Sequence, residues 1–218
     1  MKDPELREPK FKTIDMSSYP RIEQFNYFNS LAYPYVGITI NLDITHLKQV
    51  VEKNNLRMFL TTLYILINAA NKMPEFKQRI VDNNKIIEYD NCLSSHIVLR
   101  ADKIFTFCSL DTAMPYKEYI KIASIRHEAA KTQKSMDKVA TPCLYYVSCM
   151  PWIAFTALVQ PTPIPSDSNP RFTIGKIFSL GDKIYIPLTV QVNHALMDGY
   201  HLGVFVKQLQ EDLDAFEY

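Results

Sequence analysis

The stretch that decides the fold is Val190-Gln-Val-Asn-His-Ala-Leu-Met-Asp-Gly-Tyr200. Its first part consists of residues that favour a strand, and this pattern breaks at His194. The pair Asp198-Gly199 then marks a turn. A strand that ends in this way predicts a histidine held rigidly at the mouth of a cleft.

His194 is the first candidate for a catalytic residue. The unperturbed pKa of histidine lies near neutral pH, so the imidazole can remove a proton from a substrate in water. Asp198 could orient the imidazole directly, as in hydrolytic triads, or it could pair with a distant arginine and hold the shape of the turn. A lone histidine at a strand end more often has a structural role and bonds only to backbone groups. The Asp-Gly pair that follows His194 favours a catalytic role here instead.

Ser148 is the second candidate. It lies in Tyr145-Tyr-Val-Ser-Cys-Met-Pro-Trp152, where the predicted strand ends because Pro151 has no amide hydrogen to donate. A hydroxyl at a strand end can donate a hydrogen bond to a developing oxyanion. The flanking residues do not form G-x-S-x-G, so the sequence does not support a serine nucleophile. Without other signals, such a serine is an ordinary strand residue.

The composition predicts one domain over residues 1–218, with residues 1–10 flexible or extended. The 218 residues carry a net charge of +1 without a basic run, which argues against nucleic acid as a partner. No apolar stretch is long enough to span a bilayer, and residues 1–12 lack the apolar centre of a signal peptide. The four cysteines form no C-x-x-C pair and no zinc-like spacing, so we expect a cytoplasmic protein without a metal.

Hydrophobic periodicity predicts an α+β fold, with a large mixed sheet and helices packed on one side. The predicted helices are Ile44–Lys53 with Asp43 as its N-cap, Leu56–Lys72, Tyr116–Met136 and Gly199–Phe216. The predicted strands are Val36–Leu42, Lys85–Glu88, Leu93–Leu99, Ile104–Leu110, Cys143–Cys149, Trp152–Leu158, Phe172–Leu180 and Lys183–Asn193.

The two motifs around His194 and Ser148 together resemble type A chloramphenicol acetyltransferases, and the resemblance runs from about Phe11 to the C-terminus. The H-x-x-x-D-G element alone is less specific, since it also marks dihydrolipoyl acyltransferases, carnitine acyltransferases and peptide-synthase condensation domains. The resemblance implies a two-layer sandwich and a homotrimer with active sites at the subunit interfaces. It also implies acetyl-CoA as a co-substrate, with no tightly bound cofactor.

The resemblance implies a role for each residue of the catalytic centre. His194 would be the general base for a substrate hydroxyl, whose oxygen attacks the thioester carbonyl of acetyl-CoA directly in a ternary complex. Ser148 would donate to the oxyanion, and Thr173 would support the intermediate through a water molecule. Asp198 would pair with Arg21 and so shape the turn that carries the base.

The resemblance also implies two binding regions. It assigns acetyl-CoA to Lys176 and Ser148, and the hydroxyl acceptor to Tyr27, Phe28, Phe107 and Tyr146. The chain departs from the family at four positions. Asn193 replaces the first of two histidines, Pro34 and Val36 lie where the family has other acceptor-pocket residues, and Ile177 replaces an aromatic residue that stacks on the adenine of coenzyme A.

Chloramphenicol is the leading acceptor, and another small hydroxylated molecule is an alternative. A second hypothesis is a dihydrolipoyl acyltransferase core that acts on a thiol. The sequence before residue 20 argues against it, because it contains neither a lipoyl domain nor a Pro/Ala-rich linker. A third hypothesis is a binding protein that keeps the fold without catalysis. The presence of all four central side chains argues against it, namely His194, Ser148, Asp198 and Arg21.

Overall fold

The computed structural model describes residues 6–135 and 141–218. The strands are β1 Phe11–Thr13, β2 Tyr35–Asp43, β3 Gln78–Val81, β4 Lys85–Tyr89, β5 Leu93–Leu99, β6 Phe105–Leu110, β7 Leu144–Cys149, β8 Arg171–Ile174, β9 Phe178–Leu180 and β10 Lys183–Asn193. The α-helices are α1 Ile22–Asn29, α2 Thr45–Lys53, α3 Met58–Lys72, α4 Pro74–Lys77, α5 Tyr116–Ala130 and α6 Gly199–Asp214.

A large mixed sheet forms the centre of the molecule. Its strand order is β2-β10-β8-β7-β5-β6, and β9 also pairs with β10. The strand β7 runs parallel to β5 and to β8, whereas the other pairs are antiparallel. A separate sheet of three strands has the order β1-β4-β3. The predicted large mixed sheet is therefore confirmed.

The hydrophobic core lies between one face of this sheet and the helices. Alternate residues of β7, β8 and β10 are fully buried on that face, including Val147, Phe172 and Val190. They meet the apolar sides of α3 and α6, as shown by the 5.8 Å separation between the ring centroids of Phe172 and Phe205. Because side chains alternate along a strand, this packing leaves Tyr146 and Ser148 on the opposite face. The predicted α+β arrangement of helices on one side is confirmed.

The opposite face of the sheet carries polar as well as apolar side chains, and the segment 150–170 is bonded to it at Gln160 and Asp167. Its side chains include Arg171, which donates to both carboxylate oxygens of Asp167 at 2.8 Å. The hydroxyl of Tyr35 accepts from the backbone N–H of Asp167 at 2.9 Å. Buried polar groups need such partners, so this network fastens the segment to the sheet.

Three predicted elements differ from the structure. Residues 152–158 form no strand, because the chain turns after β7, with Ile153 N–H donating to the carbonyl of Met150. The predicted strand 172–180 is divided into β8 and β9, since Lys176 between them donates its N–H to the carbonyl of Ile153 instead of to β10. The helix α5 ends at Ala130 and is followed by turns, whereas the prediction extended it to Met136, which lies outside the described residues.

Several elements were not predicted from the sequence, above all α1, which lies beside His194. The helix α2 begins at Thr45, one residue later than predicted, and its N-cap is Ile44 instead of Asp43. The side chain of Asp43 still accepts from Thr45 N–H at 3.0 Å. Of residues 1–10, the first five lie outside the described part. The rest have no regular structure but are fastened at Asp90, which accepts from Arg7 and from the backbone N–H of Lys10.

Among the described residues, no helix combines the length and the apolar character needed to cross a bilayer.

Candidate active site

His194 lies on a tight turn directly after β10. Its backbone N–H donates to the carbonyl of Pro34 at 2.7 Å, and the side chain of Asn193 accepts from Ala195 N–H at 3.0 Å. Leu196 and Met197 are fully buried and anchor the turn in the core. The backbone around the imidazole is therefore held on both sides.

The imidazole of His194 is oriented mainly by an aromatic contact. The ring of Phe28 stacks on it, with centroids 3.6 Å apart and an angle of 6° between the planes. Its Nδ1 is buried and has no hydrogen-bond partner in the part of the chain that the structure describes. Stacking fixes the plane of the ring, so α1 contributes directly to the position of the base.

Asp198 forms an ion pair with Arg21 and begins α6. Its Oδ1 accepts from the backbone N–H of Tyr200 at 3.0 Å and lies 2.8 Å from Nδ1 of His201. Burial favours a raised pKa for Asp198, but the hydrogen bonds from Arg21 and His201 outweigh it and hold this pKa well below its usual range. Of the two roles open to Asp198, this geometry favours the pairing that shapes the turn.

Ser148 and Thr173 lie side by side on the face of the sheet opposite the helices. They are register partners in the parallel strands β7 and β8. Ser148 is partly exposed, whereas Thr173 is buried, and its Oγ1 has no partner among the described residues. A buried hydroxyl without a partner is costly. A bound water or substrate at this position would remove that cost.

A cavity of about 360 Å³ lies against Ser148. Tyr146 and Phe107 form part of its wall, so three of the predicted site residues meet there. The guanidinium of Arg171 lies 5.5 Å from the centre of the Tyr146 ring. The remaining lining residues are mostly apolar, namely Ser95, Ile97, Phe105, Leu144, Val147, Gln160 and Pro161.

A second cavity, of about 410 Å³, lies at Cys149, one residue beyond Ser148. Its lining includes Trp152 and the cations Arg57 and Lys131, which both pair with Glu128. Lys176, which was predicted to bind acetyl-CoA, is exposed. It lies next to Trp152, because its backbone N–H donates to the carbonyl of the following residue, Ile153, at 2.9 Å. Sequence reasoning missed Arg57 and Lys131, because they lie at the start of α3 and at the end of α5, which are distant in the sequence.

The structure does not bring His194 and Ser148 together within one chain. Ser148 is level with Thr173, and Thr173 is level with Thr189 on β10. Asn193 lies about 13 Å further along β10 than Thr189, and two strand spacings add about 10 Å across the sheet. Asn193, next to His194, is therefore about 16 Å from Ser148.

The four residues predicted to bind the acceptor also form two separate groups, one near His194 and one near Ser148. Tyr27 and Phe28 lie at the His194 end, where their rings pack edge to face with centroids 5.0 Å apart. Phe107 and Tyr146 line the cavity at Ser148. Tyr27 is 64% exposed, so it has room for a further contact.

Among the described residues, no group of three or more His, Cys, Asp or Glu side chains could hold a metal ion.

Comparison with known proteins decides the relationship. The sequence matches the chloramphenicol acetyltransferase family over residues 9–210. The chain belongs to this family. The chloramphenicol acetyltransferase of Proteus mirabilis is 31% identical over 209 residues, which cover 92% of this chain and 94% of that protein. A solved chloramphenicol acetyltransferase has a TM-score of 0.85 at 22% identity, covering 94% of this chain and 100% of that one.

The family predicted from the two motifs is thus confirmed, and so is the chloramphenicol acetyltransferase-like sandwich. A dihydrolipoamide acetyltransferase of Azotobacter vinelandii is more distant, with a TM-score of 0.64 at 18% identity over 88% of this chain and 86% of that one. That likeness shows a shared fold alone.

Proposed function

We propose that the chain is an acetyl-CoA-dependent O-acetyltransferase that transfers an acetyl group to a hydroxyl of chloramphenicol. Its membership of the chloramphenicol acetyltransferase family supports this activity. The observation that carries the proposal is the largely apolar cavity beside Ser148, since it offers space for a small aromatic acceptor next to a hydroxyl donor. We propose further that residues 1–218 form one domain that works in the cytoplasm.

In the proposed reaction, Nε2 of His194 accepts the proton of the acceptor hydroxyl. The acceptor oxygen attacks the thioester carbonyl, and Ser148 donates a hydrogen bond to the tetrahedral oxyanion. When this intermediate collapses, the C–S bond breaks and the imidazolium of His194 returns its proton to the leaving sulfur, which releases coenzyme A as a thiol and the acetyl ester. Thr173 lies beside Ser148, and its buried hydroxyl has no partner in the described part of the chain, which suits a supporting water molecule.

The reaction requires that His194 of one copy meet Ser148 of another, because about 16 Å separates the two regions within a chain. We therefore propose a site at the interface between copies. Large apolar side chains are exposed at both ends, and such side chains favour association. They include Tyr27, Trp152, Val159 and Ile164. The number of three copies rests on the family resemblance.

The second cavity is the proposed place for the coenzyme A arm. It opens at Cys149, where β7 ends, so the thioester passes the end of this strand to reach Ser148 on the other face of the sheet. Arg57, Lys131 and Lys176 supply positive charge for phosphate groups, although Glu128 offsets part of it. Replacement of Lys176 by Met is expected to raise KM for acetyl-CoA more than it lowers kcat.

The experiment that tests the function measures the release of free thiol from acetyl-CoA, with and without chloramphenicol, together with the mass of the product. Release that depends on chloramphenicol and a product heavier by one acetyl group support the proposal. Release with dihydrolipoamide alone, in an assembly far larger than a trimer, would favour the thiol acceptor instead. Absence of transfer to a broad panel of acceptors would favour a binding protein.

A further inference from the structure

His201 lies between two carboxylates beside the candidate site. Its Nδ1 is 2.8 Å from Oδ1 of Asp198, and its Nε2 is 3.9 Å from Oε1 of Glu75. The side chain is 13% exposed. The two carboxylates come from different elements, the turn before α6 and the short helix α4, so the ring is fixed from both sides.

The chemistry of these contacts determines which atom of His201 carries a proton. The same Nδ1 also lies 3.3 Å from the backbone N–H of Asp198, which could donate to it. A carboxylate oxygen only accepts, and the contact with Oδ1 is the shorter one. Without a proton on Nδ1, two lone pairs would face each other at 2.8 Å. The proton therefore belongs on Nδ1, which donates to Asp198.

With this hydrogen bond, both oxygens of Asp198 have partners. Oδ1 accepts from His201 and from the N–H of Tyr200, whereas Oδ2 pairs with Arg21. The backbone N–H of Tyr200 already holds Oδ1 from one side. The bond from His201 adds a second donor to the same oxygen, so the carboxylate is held more firmly in the orientation that meets Arg21.

We propose that His201 is a positioning residue for the base. It donates Nδ1–H to Asp198 and thereby locks the Arg21–Asp198 pair, which holds the turn that carries His194. This inference rests on the proposed acetyl transfer for its kinetic part. A role as a simple helix cap differs from it, because capping requires Nδ1 to accept from Asp198 N–H.

A matched pair of variants separates the two nitrogens of the ring. In His201→Asn the amide nitrogen takes the place of Nδ1, whereas in His201→Gln it takes the place of Nε2. We expect His201→Asn to keep kcat within about threefold of the wild type, and His201→Gln to lower kcat about 10- to 100-fold with KM for acetyl-CoA unchanged. Tyr200→Phe, at a neighbouring residue that is 77% exposed, is the control.

Nitrogen-15 NMR of the histidine side chains gives a reading that does not depend on activity. We expect the wild-type protein to show a proton on Nδ1 of His201, assigned by its loss in His201→Asn. An unprotonated Nδ1, equal losses of kcat in both variants, or full activity of His201→Gln would overturn the proposal. A wild-type protein that transfers no acetyl group refutes the proposed function, and the NMR reading still decides the hydrogen bond.

Discussion

The ring of Phe28 lies parallel to the imidazole of His194, at 3.6 Å between centroids. The same helix, α1, follows Arg21, the partner of Asp198. The helix α1 and its N-cap residue therefore contact the turn 194–198 at two points, once through an aromatic ring and once through an ion pair. This double contact holds the base in place, although Nδ1 of His194 has no bond to another described residue.

Replacement of Phe28 tests the stacking contact. Phe28→Leu should lower kcat by about 2- to 10-fold, because an aromatic pair contributes about 0.5–1.5 kcal/mol beyond its buried area. Phe28→Tyr keeps the ring and should retain most of the activity. Steady-state kinetics measure both, with Phe11→Leu at an exposed strand residue as the control. Equal activity of the leucine and tyrosine variants would show that stacking does not orient the base.

Replacement of His194 by Ala tests the general base. We expect kcat to fall by about 10²- to 10⁴-fold, because no other group accepts the proton of the acceptor. Binding of coenzyme A, measured by calorimetry, should persist, since the second cavity is lined by other residues. His46→Ala serves as a control at a distant helix. A His194→Ala variant with most of its turnover would rule out this role.

Mixing two inactive variants tests whether the site is shared between copies. His194→Ala and Ser148→Ala are each expected to be nearly inactive. After unfolding and refolding together in equal amounts, about a quarter of the interfacial sites should contain both intact side chains. Activity should then return to about that fraction of the wild-type value. A mixture as inactive as its parts would contradict a shared site.

Asp198 is expected to make stability depend on acid pH. Its pKa is lowered in the folded state, so its charge stabilises the fold above about pH 4, near the usual pKa of aspartate, and this contribution is lost as the pH falls through the lowered pKa. The loss of unfolding free energy in Asp198→Asn should therefore be largest above about pH 4 and shrink in stronger acid. Urea unfolding at several pH values measures it, with the exposed Asp182→Asn as control. A difference that is constant with pH would contradict this assignment.

Arg79 is expected to be essential for folding. It is 1% exposed, and Arg79→Met should lower the free energy of unfolding by about 3 kcal/mol or more, because several buried carbonyls lose a charged donor. Urea unfolding measures the loss, with the exposed Lys207→Met as the control. A loss below about 1 kcal/mol would show that water replaces the guanidinium. The carbonyls that accept from Arg79 belong to Phe76, Gln78, Pro142 and Leu144.

The sequence was sufficient where a structural signal is local. The break of the strand pattern at His194 predicted the end of β10, and Pro151 predicted the end of the strand that carries Ser148. The pair Asp198-Gly199 begins α6 instead of forming the predicted turn, which lies at residues 194–196. Turn residues and proline act on their immediate neighbours, so their effect can be read without knowledge of the rest of the chain. Both candidate residues were found in this way, at two strand ends.

The relation between those strand ends could not be predicted. It depends on the register of β7, β8 and β10, which joins Ser148, Thr173 and Thr189 across distant parts of the chain. The residues 152–158 have a strand-like pattern, yet they pair with none of the strands in the described residues, and strand formation depends on such a partner. Helix α1 lacks a capping side chain, and only Phe25 within it is buried, so its local signal is weak.

The distance between His194 and Ser148 has a genetic consequence. In the proposed trimer each copy supplies the imidazole to one reaction centre and the hydroxyl to another. A copy that lacks both side chains therefore disables two centres rather than one. An allele with both codons changed should be dominant over the intact allele, and bacteria that express the two together should tolerate less antibiotic than the dosage of the intact allele alone would allow.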